Sequence, residues 1–147
     1  MGPQNRIMTN VEKNKIIVSE FIEALFSKGD PAAVDRYLAP DFVNHDPPFG
    51  ATADREGMRT AGGLMRAGFP DWHSDVHLLV GEGDVVVEHF TASGTHRGEV
   101  MGVAPTGATV SLKGINIFRL VDGRIVERWG RLDDLGFLSQ LGVVRLP

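Results

Sequence analysis

Residues 108–133 read ATVSLKGINIFRLVDGRIVERWGRLD. Two apolar, alternating runs, 108–120 and 124–132, lie on either side of Asp122-Gly123. An Asp-Gly pair supplies the two residues of a tight hairpin turn, so this spacing predicts two long antiparallel strands joined there. With Asp122 and Gly123 as the turn, Val121 faces Arg124, Phe118 faces Glu127 and Asn116 faces Trp129. Side chains alternate along a strand. Asn116, Phe118, Glu127, Trp129, Arg131 and Asp133 are therefore expected on one face, and Ile115, Ile117, Arg119, Val126 and Arg128 on the other.

Upstream, residues 74–80 alternate with Val76, Leu78 and Val80 on one side, and 81–84 read as a turn. Residues 85–96 form a long strand, and 98–107 a glycine-rich connection ending in Pro105-Thr106-Gly107. Helices precede the strands. Thr9 and Glu12 make a capping box, Ile17, Phe21 and Leu25 recur at helical spacing, and Gly29 closes that helix. Asp30-Pro31 opens a short second helix carrying Val34 and Leu38 and stopped by Pro40. Residues 41–50 are strand or loop. A third helix is expected over about 54–67, despite Gly57, Gly62 and Gly63 inside it. A final helix over 133–141 ends at Gly142. Helices first, strands second and one short helix last predict an α+β fold, a curved antiparallel sheet wrapped by N-terminal helices around an apolar pocket.

With 147 residues, 42% of them hydrophobic and 23% charged, the chain fits one domain over 9–147 behind a flexible leader of residues 1–8. A net charge of −4 without a dense basic patch argues against a nucleic-acid partner. The absence of cysteine excludes disulfides, thiolate metal sites and a cysteine nucleophile. No stretch reaches the ~20 apolar residues that span a bilayer, and the first ten residues lack a signal-peptide core. No membrane partner and a cytoplasmic location are expected.

Asp133 is the acid of most interest. On the predicted face it follows Trp129 by four residues, and an aspartate beside a large aromatic surface loses hydration, which raises its pKa. A plainer reading makes it the cap of the final helix, and the sequence leaves both open. His73 and His77 stand roughly 13 Å apart on a strand, too far to share a metal, so no metal site is expected. His45 is either a pocket residue or a turn histidine. GxGxxG, P-loop, HExxH and GxSxG signatures are all missing. Trp72, Trp129, Phe90 and Met101 have the chemistry to line an aromatic pocket.

Further motifs run through the chain in order: Phe42-Val43-Asn44-His45-Asp46-Pro47, Phe69-Pro70-Asp71-Trp72, Gly94-Thr95-His96-Arg97-Gly98-Glu99 and Pro105-Thr106-Gly107. They close with Phe118-Arg119-x-x-Asp122-Gly123-Arg124-Ile125-Val126-Glu127-Arg128-Trp129-x-x-x-Asp133. In their order and spacing, from about residue 13 to 142, the chain resembles the SnoaL-like polyketide cyclases, within the nuclear transport factor two-like superfamily. The resemblance implies a cone-shaped α+β barrel. It also implies an intramolecular aldol condensation without metal or organic cofactor, in which the aspartate matching Asp133 is general acid/base. The enzyme would be a cyclase or isomerase acting on an apolar, oxygenated, polyketide-like small molecule. His45, Trp72, His89, Asn116 and Trp129 are the candidate substrate-binding residues. Family members often carry histidine directly before the matching tryptophan, where this chain has Arg128, and arginine where His89 stands.

Two other readings compete. One is a non-catalytic small-molecule-binding or dimer-forming domain of the same fold. The other is an epoxide-hydrolase-like enzyme, which needs several polar groups converging on one water. A homodimer is expected through the sheet face that carries Ile115, Ile117 and Val126, with Arg119 and Arg128 at its rim.

Overall fold

The computed structural model describes residues 7–48 and 50–147. Of the expected leader, residues 1–6 lie outside the described residues, and Ile7 and Met8 precede the first helix. Helix α1 (Asn10–Ile22) begins at the capping box: the Glu12 amide donates to Thr9 Oγ1 at 3.2 Å and the Thr9 amide to Glu12 Oε2 at 3.0 Å. A π-helical turn, Glu23–Ser27, extends it before Gly29 turns the chain at φ +67°. Asp30 Oδ1 accepts from the Ala32 amide and starts α2 (Ala32–Tyr37). Helix α3 (Arg55–Gly68) is capped by Asp54, and α4 (Asp134–Gln140) by Asp133.

Five strands form one sheet: β1 (Leu38–Asn44), β2 (His73–Glu82), β3 (Val85–Thr95), β4 (Thr109–Val121) and β5 (Arg124–Leu132). Their order across the sheet is β1-β5-β4-β3-β2. The fold is α+β as expected, with β2 to β5 antiparallel. Strand β1, however, runs parallel to β5, so the sheet is mixed, and it is open rather than closed into a barrel. Parallel pairing needs a long crossover, and the rest of the domain supplies it between β1 and β5.

The β4–β5 turn forms where the sequence places it, with Asp122 at φ 48° and Gly123 at φ 79°. The register beyond it differs from the expected one. Leu120 pairs with Ile125 but Arg119 pairs with Glu127, leaving Val126 as the extra residue of a β-bulge. Phe118 consequently opposes Arg128, Ile117 opposes Trp129 and Asn116 opposes Gly130. The bulge reverses the parity of β5. Arg128 turns to the inner face, while Glu127, Trp129 and Arg131 join Ile117 and Arg119 outside. A second shift, at His77 in β2, sets Leu78 and Val80 on the outer face and leaves Val76 opposite inward-facing Phe90.

The helices cover the inner face. One core cluster joins Val18, Phe21 and Leu25 of the N-terminal helix to Val86, Phe118 and Ile125 of the sheet. The other joins Phe69, Trp72, Phe90, Leu112, Phe137 and Leu141. Asp71, in the Phe69-Pro70-Asp71-Trp72 motif, ties this second cluster to the end of β3 by accepting from the Thr95 amide at 2.7 Å and Thr95 Oγ1 at 2.8 Å.

Candidate active site

Between the inner face of the sheet and the helices lies a cavity of ≈ 180 Å³. Its walls are apolar, with Ile22, Phe26, Met58, Leu64, Trp72 and Phe90 among them. Beyond the hydroxyls of Thr60 and Ser74, polar groups enter at one place. There Glu88, Asn116 and Arg128 line the cavity from β3, β4 and β5.

Register explains why these three meet. Glu88 pairs with Asn116, and Asn116 with Gly130, in one row across the sheet. Gly130 contributes no side chain, and the guanidinium of Arg128 folds over it. A Cβ at Gly130 would stand 2.2 Å from Arg128 Nη2. Arg128 Nε and Nη2 donate to Asn116 Oδ1 at 3.0 and 2.7 Å. Its Nη1 donates to Asn44 Oδ1 at 3.0 Å and to the Asp46 carbonyl at 2.9 Å. Asn116 Nδ2 in turn donates to Glu88 Oε1 at 2.9 Å. Since a guanidinium can only donate, the Asn116 oxygen must face Arg128 and its amide nitrogen must face Glu88.

This favours one site of protonation on Glu88. Oε1 is engaged as an acceptor, so Oε2 is the better placed of the two oxygens to carry the proton of the neutral acid. That oxygen is buried and has no hydrogen-bond partner among the described residues. The side chain is 0% exposed. Burial pushes its pKa up from 4.5 to about 7, against the opposing pull of the Asn116 hydrogen bond and the Arg128 charge. A carboxyl group poised near neutrality in an apolar chamber can both take and return a proton. Burial also lowers the Arg128 pKa from its usual value.

Of the residues singled out in the sequence, Trp72, Phe90 and Asn116 line this cavity. The others stand elsewhere. His45 is exposed and stacks on Trp129, ring centroids 4.7 Å apart, with its Nε2 3.7 Å from Glu127 Oε1. The parity reversal in β5 is what carries Trp129 to the outer face. His89 also faces outward, its ring 5.2 Å from that of His77. Asp133 is exposed, and its Oδ1 accepts from the Gly136 amide at 3.0 Å, capping α4. The expected placement of Asp133 beside Trp129 on the cavity face is therefore corrected: the strand ends at Leu132, before that carboxylate.

Sequence reading passed over Glu88 and placed Arg128 at the rim of the outer face, whereas the structure buries it. Glu88 carried a signal: in Val85-Val86-Val87-Glu88-His89-Phe90 it shares strand parity with Val86 and Phe90, an acid within a buried apolar row. For Arg128 strand parity pointed outward, and only the bulge at Val126 turns it inward.

The profile of the SnoaL-like polyketide cyclases matches residues 16–141. Nogalonic acid methyl ester cyclase of Streptomyces nogalater is 29% identical over 119 residues, 80% of this chain and 89% of that protein. IdmH of Streptomyces antibioticus superposes with a TM-score of 0.76 at 37% identity, over 88% of this chain and 99% of its own. TsrD of Streptomyces laurentii superposes with a TM-score of 0.81 at 29% identity, covering 93% of this chain and all of that one. An apolar chamber with one buried acid, on this fold and with this match along most of its length, belongs to a chain of the SnoaL-like polyketide cyclase family.

Proposed function

We propose that the chain is a cofactor-independent cyclase or isomerase that closes a ring in an apolar, oxygenated small molecule, and that Glu88 rather than Asp133 moves the proton. The observation that carries this is Glu88 Oε2, a buried carboxyl oxygen with no hydrogen-bond partner among the described residues, beside a largely apolar cavity. In an aldol closure the ionised carboxylate removes a proton from the carbon next to a carbonyl. That carbon attacks a second carbonyl of the same molecule, and the alkoxide formed takes the proton back from the carboxyl. No atom is gained or lost. Trp72 and Phe90 provide flat surface for a conjugated substrate, and Asn116 is the positioning residue that holds Glu88 in the orientation described.

The name of the Streptomyces nogalater relative suggests nogalonic acid methyl ester as the first compound to try. The expected product has the mass of the substrate, and Glu88→Gln lowers its rate of formation by about 10²-fold or more. Full turnover in Glu88→Gln would overturn the assignment. The convergence of Glu88, Asn116, Arg128 and Asn44 also suits a second reading, in which Glu88 activates water against an epoxide. A product heavier by one water, carrying ¹⁸O from labelled solvent, would select that reading. Tight binding of such compounds without conversion would select the binding domain. We also propose that two copies pair through the outer face of the sheet.

A further inference from the structure

Among the described residues, Arg128 is a buried guanidinium with no carboxylate bonded to it. Its four hydrogen bonds end on Asn116 Oδ1, twice, on Asn44 Oδ1 and on the Asp46 carbonyl, all neutral acceptors. A guanidinium has five N–H donors, so one is left uncommitted among the described residues. The nearby carboxylates are occupied or remote. Asp46 Oδ2 is taken by the Gly130 amide and Arg131, both at 2.9 Å, and Glu88 reaches Arg128 only through Asn116. Burying a cation without a directly bonded anion is costly, and this one borders a cavity walled largely by apolar side chains.

The geometry points to a ligand that is itself a monoanion in the cavity, a flat enolate or phenolate whose charged oxygen is held at Arg128 while Glu88 stays protonated beside it. This rests on the reading of Glu88 as the group that moves the proton, and it names the substrate class for that site. An acidic enol such as a 1,3-dicarbonyl has this charge, and an enolate is also what forms when the carboxylate deprotonates a neutral ketone.

Charge bookkeeping at the floor gives the consequence. Arg128 approaches from β5, Asp46 from the segment after β1 and Asp134 from the start of α4, the last two acting on Arg128 through space. Strand β4 presents Asn116, and the helices and β2 present only uncharged side chains to the cavity, such as Ile22, Met58 and Ser74. With Glu88 titrating at about 7, the Glu88–Arg128 pair is net positive in mild acid and neutral in mild base. A bound anion opposes ionisation of Glu88, so above neutrality it must bind together with a proton.

The test is calorimetric binding of 2-hydroxy-1,4-naphthoquinone, an acidic enol ionised from pH 6 to 9, against its neutral 2-methoxy analogue. At pH 6 the hydroxy compound should bind roughly tenfold or more tightly than the methoxy one. Above about pH 7 its affinity should fall roughly tenfold per pH unit, with about one proton taken up, while the methoxy compound shows no such slope. In Glu88→Gln the hydroxy compound should bind with the same affinity across the range. Arg128→Met removes four buried hydrogen bonds and endangers folding, so the wild-type profile carries the test. Equal affinities at pH 6, or binding at pH 8 without proton uptake, overturn the inference. Those results alongside a turnover loss in Glu88→Gln would leave the acid/base reading standing, whereas the expected binding with unchanged turnover would remove that reading instead.

Discussion

Keeping Glu88 in an apolar chamber has a thermodynamic signature separate from any ligand. Its folded pKa of about 7 lies above the ordinary 4.5, so between these values the folded state holds more protons than the unfolded one. Stability from this group is therefore full below about pH 4.5, falls as pH rises, and is lost once pH passes about 7. At roughly 1.4 kcal/mol per unit, the loss is on the order of 3 kcal/mol. Asp46, Asp71 and Glu127 are held below the usual carboxylate range by hydrogen bonds from Gly130, Thr95 and Arg119, so their contributions change only in more acid solution. Urea unfolding at pH 5 and pH 8 isolates the effect. Wild type should lose on the order of 3 kcal/mol more than Glu88→Gln over that interval. Parallel pH dependence in the two proteins would show that the carboxyl is not buried as described.

Among the elements, β5 and α4 decide what the sequence could disclose. The Asp122-Gly123 turn, the Thr9 capping box and the extent of α3 are local chemistry, written in neighbouring residues, and they form as read. A bulge is not local in that sense. Val126 is set aside by the way two strands and the helices behind them pack, and nothing in Arg124-Ile125-Val126-Glu127 announces it. From that single residue follow the inward turn of Arg128 and the outward turn of Trp129, and with them much of the site. Glu88 was readable, since no bulge interrupts β3 between Val86 and Phe90. Asp133 belongs to α4. Replacing it with alanine removes a helix cap, which should cost about 1 kcal/mol, while asparagine keeps the cap and the stability. Because the carboxylate does not line the cavity, Asp133→Asn should convert substrate within about threefold of wild type. A loss approaching that of Glu88→Gln would return the proton transfer to Asp133, as the family resemblance implies.

At the scale of the whole molecule, the open sheet has one face covered by helices and one bare. An apolar band crosses the bare face. Val80, Val87, Ile117 and Trp129 are register partners in turn, a row crossing four strands, and Leu78, His89, Ile115 and Arg131 form the row beside it. Leu78 is 55% exposed and Ile115 45%. Both charge signs edge this surface, with Arg119 bonded to Glu127 at 2.7 Å and 3.8 Å from Asp84. A mixed rim around an apolar band is self-complementary, so a second copy related by a two-fold axis can cover the band without setting like charges against each other. Such self-complementarity favours a homodimer over a different partner. Light scattering behind size exclusion should give twice the 16.0 kDa chain mass for wild type. Leu78→Glu with Ile115→Glu should give the monomer, since both side chains are exposed enough for the replacements to spare the fold. Naphthoquinone affinity should be unchanged in that variant, because the cavity lies on the other side of the sheet. A wild type that elutes as a monomer at all concentrations leaves this face uncovered and removes the pairing; a double variant that is still dimeric moves it to another surface.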